Sequence, residues 1–295
     1  MNRKEWPAGV VLPLLATVAA MAAFQVGAAF AKSLFPAIGP EGAATLRLGL
    51  GAVMLLAIAR PWRAWPASAP LLPLLGLGVS VAVVILAFYM AIERLPLGLA
   101  IALQFLGPLG VAVFGSRRWS DLAWAILAAA GVWLLVGMGA PGAALDLVGI
   151  GWALVAAAAW ATYILCGRVA SVAFGRSTAA LSVAIAALLV LPVGVHEAGA
   201  ELLSPALIPM ALLVALMSTA VPFSLELYAM PRMPARTFAV FTSLEPAFGV
   251  LSGLFLLQER LDVAQIGGVT AVVAAAAGAA WSSAGHSAVA EAPPT

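Results

Sequence analysis

The sequence predicts an all-α polytopic membrane protein with ten transmembrane helices arranged as an inverted five-plus-five repeat. Three observations lead there. The 295 residues are 64% hydrophobic and only 9% charged, with mean hydropathy +1.10, whereas soluble domains carry ~25% charge. The stretches between charges are long enough to cross a bilayer, and the second half repeats landmarks of the first at a constant offset. Such a chain lacks the polar surface to cover a core in water. Its net charge of +2 is too small to point to nucleic acid, and the pI near 9.0 reflects loop arginines. The single cysteine, Cys166, cannot form an internal disulfide.

A spanning helix needs ~20 mostly apolar residues. Eight stretches contain no charge and no histidine: 6–31, 64–92, 95–116, 122–145, 147–167, 177–195, 202–225 and 263–285. Two more, 42–59 and 237–258, are each broken by one charge, Arg47 and Glu245. Together they give ten spans. Barrel strands would be ~10 residues of alternating polarity, and these runs do not alternate. The first run lacks a convincing cleavage site and has many equivalents, so it reads as a span and not a removed leader.

Loop arginines and lysines set the orientation. With the N-terminus in the cytoplasm, ten spans return the C-terminus there. The inside then holds Arg3, Lys4, Arg60, Arg63, Arg117, Arg118, Arg168, Arg176, Arg232 and Arg236, against Lys32, Arg94 and Arg260 outside. Most loop carboxylates fall outside. Both termini are expected to be cytoplasmic.

The repeat is read from four pairs at one offset of 138: Arg94 with Arg232, Pro96 with Pro234, Leu106 with Leu244, and Pro108 with Pro246. Helices one and six match more weakly, Phe24 preceding Lys32 by eight residues as Trp160 precedes Arg168. The division is 1–140 and 141–283, followed by a small, polar, disordered cytoplasmic tail over 284–295. Five spans is an odd number, so the second half must lie upside down relative to the first. Inverted repeats recur in secondary transporters because two copies of one unit can exchange inward- and outward-facing states around a midplane site.

Several strings carry a family resemblance. In the first half they are Ala31-Lys32-Ser33-Leu34-Phe35-Pro36, Thr45-Leu46-Arg47-Leu48, Arg60-Pro61-Trp62-Arg63, Leu95-Pro96-Leu97-Gly98 with Gly107-Pro108, and Ser116-Arg117-Arg118. In the second half they are Pro234-x-Arg236-Thr237-Phe238 and Ser243-Leu244-Glu245-Pro246. Their order and spacing, over about residues 12–281, resemble the EamA-type drug/metabolite transporters and, among them, the bacterial threonine/homoserine exporters. The resemblance implies export of small neutral amino acids across a bacterial inner membrane, with the bilayer, the amino acid and protons as partners and no cofactor or metal. One departure is Gln104, where the resemblance implies an acidic residue.

Ionisable groups at membrane depth are costly and are therefore functional candidates. Glu245, central in span nine and directly before Pro246, is a candidate proton carrier or counter-ion for a substrate amine. Arg47 is a candidate for holding a substrate carboxylate, since its planar fork binds carboxylates bidentately. The bland reading is that it steadies the fold by pairing with Glu245 or another acid. Glu226, after Pro222 near the cytoplasmic end of span eight, is a further candidate. Gln104 and Pro108 lie at the midplane in span four. Pro108 and Pro246 each remove a backbone donor and are expected to kink their helices, which is tolerated where a cavity or a neighbour satisfies the freed groups. Tyr89, Trp160 and Tyr163 are candidate pocket linings, although aromatic residues in spans are more often packing. Gly249 and Gly253 read as a close-packing pair.

The expected mechanism is antiport by alternating access, with a site between spans two, four, seven and nine. A second reading is a drug or other metabolite exporter of the same superfamily, and a third is a channel. The only lysines are Lys4 and Lys32, so there is no Gly-Lys of a phosphate-binding loop. His196 and His286 fall in a loop and the tail, and no catalytic His or Ser motif is present.

Overall fold

The computed structural model describes residues 8–63, 70–114, 119–137, 146–229, 232, 238 and 241–290. The basic landmarks Arg3, Lys4, Arg117, Arg118 and Arg236, with Pro234 and the 140/141 boundary, lie outside the described residues. Twelve α-helices and no strand occur among those described: α1 Ala8–Lys32, α2 Phe35–Ala59, α3 Leu71–Arg94, α4 Leu97–Gln104, α5 Leu106–Phe114, α6 Trp119–Gly137, α7 Leu147–Phe174, α8 Thr178–Ala198, α9 Ile208–Ala215, α10 Val221–Ala229, α11 Glu245–Leu256 and α12 Val263–Ala290. Five segments are long and apolar enough to cross a membrane: Val11–Lys32, Phe35–Arg63, Leu71–Arg94, Leu147–Leu203 (which runs through α7 and α8) and Ile208–Glu226. Their outward faces suit lipid, with Leu72, Val172 and Leu188 exposed by 80%, 89% and 70%. The protein is an all-helical membrane protein.

Local chemistry sets the helix ends. Asp146 caps α7, its Oδ1 accepting from the N–H groups of Val148 and Gly149 at 2.9 and 3.1 Å. Asp262 and Gln265 exchange hydrogen bonds ahead of α12, the backbone N–H of each donating to the other's side chain, so two orphan donors are satisfied reciprocally. Gly39, directly before Pro40, takes φ +66° and bends α2, because a proline disfavours the helical region for the residue ahead of it. The last helix continues to Ala290, into the segment expected to be a disordered tail from residue 284. Ala284, Ala288 and Ala290 are good helix formers.

The interior is built mainly from alanine, leucine, valine and isoleucine. The most extensive pairings are α3 with α7, α2 with α8, and α6 with α12, followed by α3 with α8, α1 with α10 and α4 with α11. Gly249 on α11 accepts Ile101 of α4, and Gly98 on α4 accepts Val250 of α11. That is the close packing expected of Gly249.

Candidate functional site

The site begins with a defect in a helix. Between α9 and α10 lies a π-helical turn, Leu216–Ala220, closed by the Val221 N–H on the Leu216 carbonyl. Residue 222 is proline and has no N–H to give the Ser218 carbonyl four positions back. Arg47 supplies the missing donor, its Nη2 lying 3.0 Å from the Ser218 carbonyl oxygen. Its Nη1 lies 3.4 Å from the Tyr89 hydroxyl, and the guanidinium carbon stands 5.5 Å from the centre of that ring. Tyr89 is fully buried and packs against Phe35 and Phe88. It therefore holds Arg47 instead of lining an open pocket.

Glu245, the first residue of α11, is half-buried and accepts from Gln25 of α1, Nε2 to Oε1 2.9 Å. Arg47 and Glu226 both lie close enough to Glu245 to act on its charge, and Glu226 stands in the same relation to Tyr163. A buried cation and two carboxylates thus share one region at membrane depth. Trp160 meets Phe105 edge to face at 5.4 Å, at the break between α4 and α5. Gln104 ends α4 just before that break, buried and without a hydrogen bond among the described residues.

The helices are interrupted just ahead of the two prolines expected to kink them, at Phe105 before Pro108 and at Ser243–Leu244 before Pro246. Each proline then sits in the first turn of the helix that follows, α5 or α11, where a missing N–H costs little. The seventh span, α8, packs along α2, where Thr45 Oγ1 donates to the Val190 carbonyl and leans on Gly194, and it contributes none of the clustered polar groups. Those groups come instead from α1, α2, α3, the π turn, α10 and α11.

Gln25, Ser218 and Thr219 were missed because charge was used as the marker for spans, and neutral polar side chains leave no gap in a charge map. The Ser-Thr pair three residues ahead of Pro222 was the available signal. A separate ionic cluster joins three helix ends: Lys32 Nζ to Glu259 Oε1 at 2.7 Å, and the Leu97 N–H to Glu259 Oε2 at 2.7 Å. A pocket of about 290 Å³ opens beside it, lined by Gly98, Val250, Leu254, Glu259, Arg260, Leu261 and Ile266. It does not reach Arg47 or Glu245.

Residues 147–281 match the model of the EamA-like transporter family. The chain is 45% identical over 269 residues, 91% of each protein, to the threonine/homoserine exporter RhtA of Escherichia coli strain K12. It is 44% identical over the same share to the protein of that name from Salmonella typhimurium. The chain belongs to the EamA-like transporter family. An EamA-like transporter moves solutes and performs no chemistry on them, which suits a site of buried hydrogen-bonding groups lacking any activated nucleophile. A solved protein crystal structure superposes with TM-score 0.61 over 95% of this EamA-like transporter and 99% of the other chain, at 18% identity, a likeness of fold alone.

Proposed function

We propose that this protein exports small neutral amino acids of the threonine and homoserine kind across a bacterial inner membrane, by proton-coupled alternating access. The observation that carries the proposal is the placing of Arg47, Gln25 and Glu245 together at membrane depth. A free amino acid is a zwitterion, and a site offering it both a cation and a carboxylate recognises both ends at once. The names and 45% identity of the curated relatives support that substrate class. Within this reading Glu245 is the carboxylate for which a proton and the substrate ammonium compete, and Glu226 and Tyr163 lie on the path towards the cytoplasm.

The proposed frame is ten spans in two inverted halves, 1–140 and 141–283, with both termini cytoplasmic. The spans are α1, α2, α3, α4 with α5, α6, α7, α8, α9 with α10, the segment ending in α11, and α12. Exchanging the halves takes α1 to α7, α2 to α8, α3 to α9–α10, α4–α5 to α11 and α6 to α12. The packing pattern supports that exchange. The α3–α7 pairing becomes α10–α1, α3–α8 becomes α9–α2, and the contacts of α4 and α5 with α7 become α11 with α1. The pairs α2–α8, α4–α11 and α6–α12 map onto themselves. The breaks at Phe105 and Ser243 are also 138 residues apart.

The test is efflux from proteoliposomes loaded with radiolabelled threonine or homoserine under an imposed proton gradient. Uphill movement that collapses with a protonophore is the expected result. Movement only down the substrate gradient would make the protein a channel, and a panel in which only drugs move would favour the broader metabolite-exporter reading.

A further inference from the structure

Among the described residues, four buried side-chain atoms have no hydrogen-bond partner: Gln25 Oε1, Arg47 Nε, Ser218 Oγ and Thr219 Oγ1. Their residues are exposed by only 3%, 6%, 0% and 1%. Buried polar atoms are paired almost without exception, and an orphan points to a missing water or ligand. These four belong to one neighbourhood. Gln25 holds Glu245, Arg47 holds the Ser218 carbonyl, and Arg47 acts on the charge of Glu245. The helices around them leave room only through glycine. A Cβ at Gly27 of α1 would overlap Ser218 Oγ, and one at Gly51 of α2 would press into the Thr219 side chain at 2.7 Å. The Gln25 amide is orientable from chemistry: a carboxylate only accepts, so the NH2 group faces Glu245 and the oxygen is the free atom.

We propose that Gln25, Ser218 and Thr219 are substrate-contacting residues that select a hydroxylated amino acid, Thr219 reading the side-chain hydroxyl. The inference rests on the exporter reading above. The orphan set matches that ligand group for group. Arg47 Nε–H and the Ser218 hydroxyl donate to the substrate carboxylate, which only accepts. Gln25 Oε1 and the Glu245 carboxylate accept from the substrate ammonium, which only donates. Thr219 Oγ1, able to do both, is left for a hydroxyl, which also does both. The π turn places Ser218 and Thr219 side by side on one element, so the carboxylate and hydroxyl contacts are set by a single backbone irregularity.

The experiment uses purified full-length protein in proteoliposomes and compares transport of radiolabelled threonine with that of 2-aminobutyrate, the same skeleton without the hydroxyl. Thr219→Val should reduce the threonine-to-aminobutyrate ratio about tenfold or more, since a site built to hydrogen-bond a hydroxyl rejects the analogue lacking it, and Thr219→Ser should restore the ratio. Ser218→Ala and Gln25→Leu should raise the half-saturating concentration of both substrates alike and leave their ratio unchanged. Thr219→Ala provides the same ratio test if the valine variant does not fold, as judged by its melting curve. An unchanged ratio in the folded Thr219 variants overturns the proposal, and is also what ordered water at these atoms would give. Wild-type protein that moves neither amino acid would instead bring down the exporter reading on which the proposal stands.

Discussion

At the scale of single residues, Arg47 has two duties that its sequence position alone does not separate. Two of its nitrogens hold structure, the Ser218 carbonyl and the Tyr89 hydroxyl, and the third is free. Arg47→Lys offers one compact ammonium in place of a planar fork, so at least one of those acceptors loses its donor. The expected cost is ~1–3 kcal/mol of stability, read as a lower melting temperature in detergent, together with lower efflux per folded molecule. Near-normal values of both would make the fork unnecessary. Glu245→Gln keeps the shape, and its amide oxygen still accepts from Gln25, so the protein should fold and reach the membrane. Under the proposed mechanism it should lose proton-driven efflux and the pH dependence that goes with it. Wild-type rates with an unchanged pH profile would remove Glu245 from the mechanism and turn attention to Glu226.

At the scale of elements, the π turn is a consequence of Pro222, and this can be tested directly. Pro222→Ala returns an N–H to the helix and lifts the penalty for proline in a helix interior, ~3 kcal/mol. The variant is expected to be at least as stable as the wild type while transporting poorly, because a regular helix re-aims Ser218 and Thr219 and takes the carbonyl from Arg47. Equal transport would show that the irregularity has no functional part. The start of α7 supports a pH prediction. The Asp146 carboxyl is held below the usual aspartate value, first by its hydrogen bond from Arg94 and then by the N–H groups of Gly149 and Val148. A lowered value stabilises the fold fully above the ordinary aspartate pKa and is lost as pH falls through the lowered one. The melting temperature of wild type should therefore exceed that of Asp146→Asn at neutral pH, the gap closing in acid. Most helices were legible from charge-free runs, since lipid leaves the backbone few other options. Interruptions within the runs at Phe105, Leu216 and Ser243 were not. Hydropathy is blind to which backbone donor is missing, and only the prolines hinted at the place.

At the scale of the whole molecule, the proposed frame of ten spans returns both ends of the chain to one side. A reporter active only outside the cell, fused after Thr295, should stay silent, and activity would imply an odd number of spans and dissolve the inverted repeat. The proposed repeat is read from residues such as Pro96 and Pro108, which have counterparts 138 positions later in Pro234 and Pro246. Of the candidate site, Arg47, Glu226, Glu245, Tyr89 and Tyr163 were legible in the sequence, whereas the neutral Gln25, Ser218 and Thr219 were not. One further trait is mechanical. A single carboxylate, Glu259, ties Lys32 at the end of α1 and the Leu97 N–H at the start of α4, and it sits in the short connection between α11 and α12. Both of its oxygens are engaged, so neither partner can leave without stranding a charge or a helix N-terminus. The ends of α1 and α4 and the α11–α12 connection thus share one clasp at the face that the proposed orientation puts outside, and moving any one of them away breaks a contact of the same carboxylate.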